Sequence, residues 1–179
     1  MSALPEAFLR LPLAHRALHD ITQARPENSR AAIAAAIDHG YGIEIDLQPS
    51  RDGEAMVFHD DQLDRLTGQP GLIREHTAAE LSCLSLVGAA GERIPTLVDV
   101  LALVAGRVPV LIELKDQHGQ MGESDGVLEA ATARALMHYP GDVAVMSFNP
   151  HMVDRLATLL PDVPRGLVTC SYRAEDAAR

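Results

Sequence analysis

The sequence predicts an α/β fold in which helices cover a parallel β-sheet. Two observations predict it. Segments with strand patterns alternate along the chain with segments that have helix patterns, and the strands are nearly continuous apolar runs, as in residues 108–112. These patterns are compatible with an open, doubly wound sheet and with a (β/α)8 barrel. The 179 residues contain no repeat and no linker, so we expect one domain over residues 1–179, with a loop excursion near residues 61–95.

The first half of the chain supplies three predicted strands and one helix. The apolar residues 11–14 form the first strand, which ends at His15 and Arg16. Either Asn28 or Ser29 can cap the helix that follows, and Gly40 ends it. The other predicted elements here are a strand at 41–48, a turn at 50–53 and a strand at 55–58.

Two capping boxes define helix starts in the rest of the chain. Thr77 with Glu80, and Thr96 with Asp99, place a polar cap and an acidic side chain three residues apart. The other predicted elements are strands at 108–112, 142–146 and 165–169, helices at 124–139 and 150–159, and the start of a helix at 172–179. The sequence therefore predicts six strands.

Within the strand at 41–48, apolar and polar residues alternate. Glu44 and Asp46 therefore project from the same face, opposite the apolar side chains. Two carboxylates this close repel each other, and a cation or water is the usual reason for keeping them together. The pair is compatible with half of an oxygen-ligand metal site, and equally with an edge strand whose polar face is solvated.

Polar residues recur at or just beyond the ends of four successive predicted strands. The side chains are those of His15 and Arg16, of Glu44 and Asp46, of His59, and of Glu113 and Lys115. In parallel α/β folds the carboxyl ends of the strands meet at one rim, where binding and catalytic sites are built. The series therefore predicts a site that combines carboxylates, histidines and cations.

The charge and cysteine content of the chain bear on its binding partners and its compartment. The formal charge of −10 argues against nucleic acid and anionic membrane surfaces, which require a basic face. Cys83 and Cys170 match no disulfide framework or zinc spacing, so we expect buried free thiols in a reducing compartment. Residues 1–13 do not resemble a signal peptide, and no segment is long enough to span a membrane. We therefore expect a cytoplasmic protein, of undetermined oligomeric state.

Eight short motifs resemble those of the glycerophosphodiester phosphodiesterase family. They occur in order between residues 13 and 116: His15-Arg16, Pro26-Glu27-Asn28-Ser29, Glu44-Ile45-Asp46, Ser50-Arg51-Asp52-Gly53, His59-Asp60, Leu63-x-Arg65-Leu66-Thr67, Ile94-Pro95-Thr96-Leu97 and Glu113-Leu114-Lys115. The resemblance implies a (β/α)8 barrel. Because only six strands are predicted and a closed barrel needs about 200 residues or more, we expect the barrel to be incomplete at its C-terminus. The family usually has glycine where this chain has Ala17.

The resemblance also implies the chemistry of the site. Glu44, Asp46 and Glu113 would bind a divalent cation, and their hard oxygen ligands suit Mg²⁺ or Ca²⁺. The cations of Arg16 and Lys115 would bind the phosphate, and His15 and His59 would act as acid and base. The expected reaction is hydrolysis of small glycerophosphodiesters to sn-glycerol 3-phosphate and an alcohol. Glu27 would orient Arg16 or lie in the turn before the helix, and we leave it out of the predicted site.

Three alternatives remain. The first is a lysophospholipase D-like phosphodiesterase, which would need an apolar or basic surface beside the rim. The second is a non-catalytic binding or scaffold barrel of the same family. The third, weaker alternative is a metal-dependent sugar isomerase or aldolase, since a barrel fold alone does not fix the reaction.

Overall fold

A computed structural model describes residues 3–116 and 121–169 and contains the predicted parallel sheet. The strands are β1 (Leu13–Ala14), β2 (Gly42–Pro49), β3 (Ala55–Val57), β4 (Val110–Leu114), β5 (Val143–Ser147) and β6 (Arg165–Leu167). Five of them pair in parallel in the order β1-β2-β4-β5-β6. In the described part of the chain, β1 and β6 are not hydrogen-bonded to each other, so the sheet is not closed there.

Seven α-helices connect these strands within the described residues. They are α1 (Ala7–Arg10), α2 (Arg30–Asp38), α3 (Asp64–Thr67), α4 (Ala78–Leu81), α5 (Leu97–Val104), α6 (Val127–Leu136) and α7 (Pro150–Leu159). Ser29, rather than Asn28, caps α2. The two predicted capping boxes are confirmed at α4 and α5. The helix predicted at 172–179 lies outside the described residues.

The third strand differs from the expectation of a series of parallel strands. β3 is antiparallel to β2, with Leu47 opposite Val57 and Pro49 opposite Ala55. The predicted turn at 50–53 causes this reversal: Ser50 N donates to Glu54 O (2.9 Å), and Gly53 has a φ of 79°, which glycine adopts without strain. The chain therefore folds back at the rim, and Phe58 N donates to Asp46 O (2.9 Å).

Strand β2 lies inside the sheet and is buried along its whole length. The alternative of an edge strand with a solvated polar face is therefore wrong. Its apolar side chains, Ile43, Ile45 and Leu47, belong to the main hydrophobic core together with side chains of the helices. Its polar side chains lie on the opposite face of the sheet, as the period-2 pattern predicts.

The segment between β3 and α5 has a small core of its own. Its members are Met56, Phe58, Leu63, Ile73, Leu81, Leu86 and Ile94. This cluster packs the predicted loop excursion against β3. Cys83, in the same segment, is exposed and unpaired, so the expectation of a buried thiol is wrong for this residue, and Cys170 lies outside the described residues. None of the described helices is long and apolar enough to cross a membrane.

Candidate active site

Three buried carboxylates form the centre of the candidate site. Glu44 and Asp46 come from β2, and Glu113 comes from β4, where it pairs directly with Asp46 across the parallel strands. One oxygen from each carboxylate lies within 4.8 Å of the others. The structure therefore brings together the three residues that sequence reasoning grouped as metal ligands, and their geometry could hold a metal ion.

The turn after β1 attaches directly to this cluster. Arg16 N donates to Glu44 Oε2 (2.9 Å), and Ala17 N donates to the Glu44 carbonyl oxygen (3.0 Å). Ala17 has a φ of 62°, in the left-handed region that favours glycine. The turn thus has a conformation that the family's usual glycine adopts without strain, and alanine is accommodated in it.

Asn28 contributes to the cluster in a way that sequence reasoning missed. Its Nδ2 donates to Asp46 Oδ2 (2.9 Å) and its Oδ1 accepts from Asp46 N (3.3 Å). The residue is buried and has a φ of 57°, which asparagine tolerates better than most residues. Sequence reasoning considered Asn28 only as a helix cap. The feature of the sequence that could have indicated this role is the Pro26-Glu27-Asn28-Ser29 motif, which resembles the family pattern.

Two cations lie against the carboxylates. Lys115 Nζ is 2.7 Å from Asp46 Oδ1 and 2.6 Å from Glu113 Oε1. Burial disfavours the charged ammonium, but the hydrogen bonds to Asp46 and Glu113 outweigh it and raise the pKa of Lys115. Arg16 Nε lies 3.6 Å from Asp46 Oδ2. Lys115 is the one lysine in the sequence.

Glu44 differs from its two neighbours because no side-chain cation pairs with it in the described residues. Its Oε1 is buried and accepts no hydrogen bond from the described part of the chain. Burial, followed by the negative charge of Asp46, raises the pKa of Glu44 to about 7. A carboxylate oxygen in this state is suited to accept a cation.

His59 lies on the turn that follows β3, beside the cluster. Its Nδ1 is 2.6 Å from Asp60 Oδ1, and its backbone oxygen accepts from Gln48 Nε2 (3.1 Å). His59 and Lys115 line a cleft of about 500 Å³. The other lining residues are Gln48, Asp60, Asp61, Gln62 and Asp116.

His15 has a different environment from His59. It lies in the turn between β1 and Arg16, is exposed, and makes no side-chain hydrogen bond or ion pair with the described residues. Its place in the chain puts it next to Arg16, which contacts the cluster. Of the seven predicted residues, the structure thus joins five by direct contacts, places His59 beside them and leaves His15 at the rim.

The sequence of the chain matches a family model. Residues 15–179 match the model of the glycerophosphoryl diester phosphodiesterase family. The chain belongs to this family. Family membership confirms the resemblance and assigns the parallel sheet to the (β/α)8-barrel type of fold.

Relatives and solved structures of the family cover most of the chain. YhdW of Bacillus subtilis is 35% identical over 152 residues, and a glycerophosphodiester phosphodiesterase of Caldanaerobacter subterraneus is 31% identical over 151 residues. Each match covers 80% of this chain and 60% or 61% of the relative. The chain therefore spans about three fifths of the length of these curated relatives.

Among solved structures, an Oleispira antarctica phosphodiesterase in complex with the product sn-glycerol-3-phosphate superposes with a TM-score of 0.82. It is 28% identical, and the match covers 96% of this chain and 72% of that one. A glycerophosphodiester phosphodiesterase of Agrobacterium tumefaciens superposes with a TM-score of 0.72 at 29% identity, covering 87% of this chain and 65% of that one.

Proposed function

We propose that this chain hydrolyses glycerophosphodiesters to sn-glycerol 3-phosphate and an alcohol, and that residues 1–179 act as one catalytic domain. The observation that carries the proposal is the cluster of Glu44, Asp46 and Glu113, three buried carboxylates on adjacent strands with Lys115 against them. Membership of the family supports it, as does the product bound to the Oleispira antarctica phosphodiesterase.

We propose Glu44, Asp46 and Glu113 as the ligands of a divalent cation. Two features of the cluster suit a cation. The buried Oε1 of Glu44 accepts no hydrogen bond from the described residues, and all the ligand atoms are carboxylate oxygens. Such ligands favour Mg²⁺ or Ca²⁺ over softer metals. When bound, the cation would act as a Lewis acid on a phosphate oxygen.

Arg16 and Lys115 would bind the phosphodiester. Both cations lie within 4 Å of Asp46, so their charges converge where a phosphate beside the cluster would lie. The substrate carries one negative charge, and negative charge grows on the phosphate oxygens as the reaction proceeds. Fixed positive charges stabilise that state more than they stabilise the substrate.

His15 and His59 would transfer the protons. One imidazole accepts the proton of the attacking oxygen while the new bond between oxygen and phosphorus forms. The other donates a proton to the alcohol oxygen while its bond to phosphorus breaks. Imidazole can do both near neutral pH. The net reaction consumes one water and yields sn-glycerol 3-phosphate and the free alcohol.

We further propose a cytoplasmic setting. The exposed, unpaired Cys83 supports it, because a reducing compartment keeps such a thiol free.

The test is release of sn-glycerol 3-phosphate from glycerophosphocholine by the purified chain. The assay is run after EDTA treatment and again with Mg²⁺ or Ca²⁺ added back. Activity that is lost to the chelator and restored by one cation would support the reaction class and identify the ion. Folded protein that releases no product with either ion would overturn the proposal.

A further inference from the structure

His59 is held by a series of polar contacts that lies outside the carboxylate cluster. Its Nδ1 contacts Asp60 Oδ1 (2.6 Å). Arg65 then binds Asp60 with two nitrogens, through Nε to Oδ2 (2.6 Å) and through Nη2 to Oδ1 (2.8 Å). Asp60 thus contacts the imidazole on one side and accepts hydrogen bonds from a guanidinium group on the other.

The same guanidinium group reaches across to the turn before α2. Arg65 Nη1 donates to Glu27 Oε2 (2.9 Å) and Nη2 donates to Glu27 Oε1 (2.8 Å). Glu27 Oε1 also accepts from Arg16 Nη1 (3.0 Å). Glu27 therefore joins the His59 side of the site to the side that carries Arg16.

Every nitrogen of the Arg65 guanidinium is used in this arrangement. Only arginine offers a planar fork that binds two carboxylates at once, and lysine cannot replace it. Arg65 is 46% exposed, and exposed ion pairs contribute little to folding stability. We therefore attribute the arrangement of Arg65 to its effect on His59 rather than to a contribution to folding stability.

We infer that Asp60 and Arg65 are positioning residues for His59: Asp60 accepts a hydrogen bond from Nδ1–H, Arg65 fixes Asp60, and Nε2 is left to exchange protons with the substrate. This inference rests on the proposed role of His59 as acid or base. A carboxylate that stays ionised is only an acceptor, so the imidazole nitrogen facing it must carry the proton.

The protonation state of Asp60 agrees with this assignment. Hydrogen bonds from Arg65, opposed by burial and helped by His59, lower the pKa of Asp60 to about 2. Asp60 is therefore an anion wherever imidazole titrates. Two charged groups, Asp60 and Arg65, lie on the Nδ1 side of His59. The other charged groups near it line the cleft and are Asp61, Lys115 and Asp116.

Two substitutions should release the imidazole of His59 from a single tautomer. Asp60→Asn replaces a carboxylate, which can only accept, by an amide that can also donate, so Nδ1 no longer has to carry the proton. Arg65→Gln removes the two hydrogen bonds that orient Asp60, so the preference for this tautomer should weaken. A residue that only supports the fold would leave the tautomer of His59 unchanged.

The experiment combines kinetics with an NMR measurement, in the full chain, of which ring nitrogen of His59 carries the proton. We expect Asp60→Asn and Arg65→Gln to lower kcat for glycerophosphocholine by about 10- to 100-fold, because a poorly oriented His59 loses part of the rate that acid–base catalysis contributes. KM should be nearly unchanged. Arg65→Lys, which keeps the charge but loses the fork, should not restore kcat. Arg30→Gln, which breaks an exposed pair of 3.0 Å with Asp99, is the matched control and should leave kcat unchanged.

Wild-type kcat in both variants, or an unchanged tautomer of His59 in both, would overturn the inference. Losses of kcat that only follow losses of thermal stability would overturn it as well. The NMR measurement needs no turnover, so it tests the link to His59 independently of the proposed hydrolysis. Failure of that hydrolysis would appear instead as an inactive wild-type protein.

Discussion

Asp46 on β2 and Glu113 on β4 are direct partners in the parallel sheet. Their carboxylates therefore lie side by side on the same face of two central strands. Like charges at this distance repel, and the protein offsets the repulsion with Lys115, which contacts both carboxylates. This pair makes the cluster a site that can accept a cation.

Asp46→Asn should remove the response of the protein to divalent cations. The amide keeps the size of the side chain but lacks the charge that a hard cation requires. In wild-type protein, Mg²⁺ or Ca²⁺ at 100 times its Kd should raise the unfolding free energy by about 2.7 kcal/mol. Calorimetric titration measures the binding of the cation, and thermal unfolding measures the stabilisation that binding produces. Glu54→Gln, at an exposed acid, should keep the full response, and a full response in Asp46→Asn would refute the ligand assignment.

Glu44→Gln should stabilise the cation-free protein at pH 8 but much less at pH 5. The folded-state pKa of about 7 is above the ordinary value of 4.5. Stability is therefore lost as the pH rises through this interval, because folding then buries a charge. We expect a gain of the order of 1–3 kcal/mol at pH 8, measured by urea unfolding in EDTA. Equal effects at the two pH values would contradict the prediction.

His59→Ala should lower kcat by about 100-fold or more, because positioned acid–base groups contribute 10²–10⁴. Substrate binding depends on other groups, so KM should change little. His138→Ala is the control, since His138 is exposed and follows α6. Steady-state kinetics with glycerophosphocholine measure both variants, and a wild-type rate in His59→Ala would exclude it from proton transfer.

Lys115→Met should lower kcat/KM by about 100- to 1000-fold, in the range seen when one electrostatic stabiliser is removed. Methionine keeps most of the apolar stem and removes the charge that faces Asp46 and Glu113. Arg107→Met, which removes a cation hydrogen-bonded to the end of α5, is the control. Retained kcat/KM in Lys115→Met would show that its charge serves the carboxylates alone.

Asn28→Ala should destabilise the protein more than Asn28→Gly. Both lose the hydrogen bonds to Asp46, and a bond to a charged group contributes about 1.5–3 kcal/mol. Alanine is also strained in the left-handed backbone conformation at a φ of 57°. This strain costs about 1–2 kcal/mol of folding stability, and glycine does not have it. Urea unfolding measures the difference. Equal stability of the two variants would mean that this backbone conformation carries no strain.

Much of the fold could be predicted from local patterns. The capping boxes at Thr77 and Thr96 placed α4 and α5 correctly, and the alternation along β2 gave the faces of Glu44 and Asp46 correctly. Both signals act over two to four residues, which is the range over which capping and strand periodicity operate. The expectation of parallel strands was wrong for β3, although the predicted turn at 50–53 is too short for the crossover that a parallel neighbour requires.

Local sequence patterns identify the groups that are available: carboxylates at Glu44, Asp46 and Glu113, the cations Arg16 and Lys115, and two histidines at predicted strand ends. How these groups meet is set by the packed fold. It paired Asp46 with Glu113, brought Asn28 onto Asp46, and tied His59 through Asp60 and Arg65 to Glu27. Three of these contacts join residues far apart in the chain: Asp46 with Glu113, Asp46 with Asn28, and Arg65 with Glu27. Their distances follow from sheet register and packing, which no local pattern encodes.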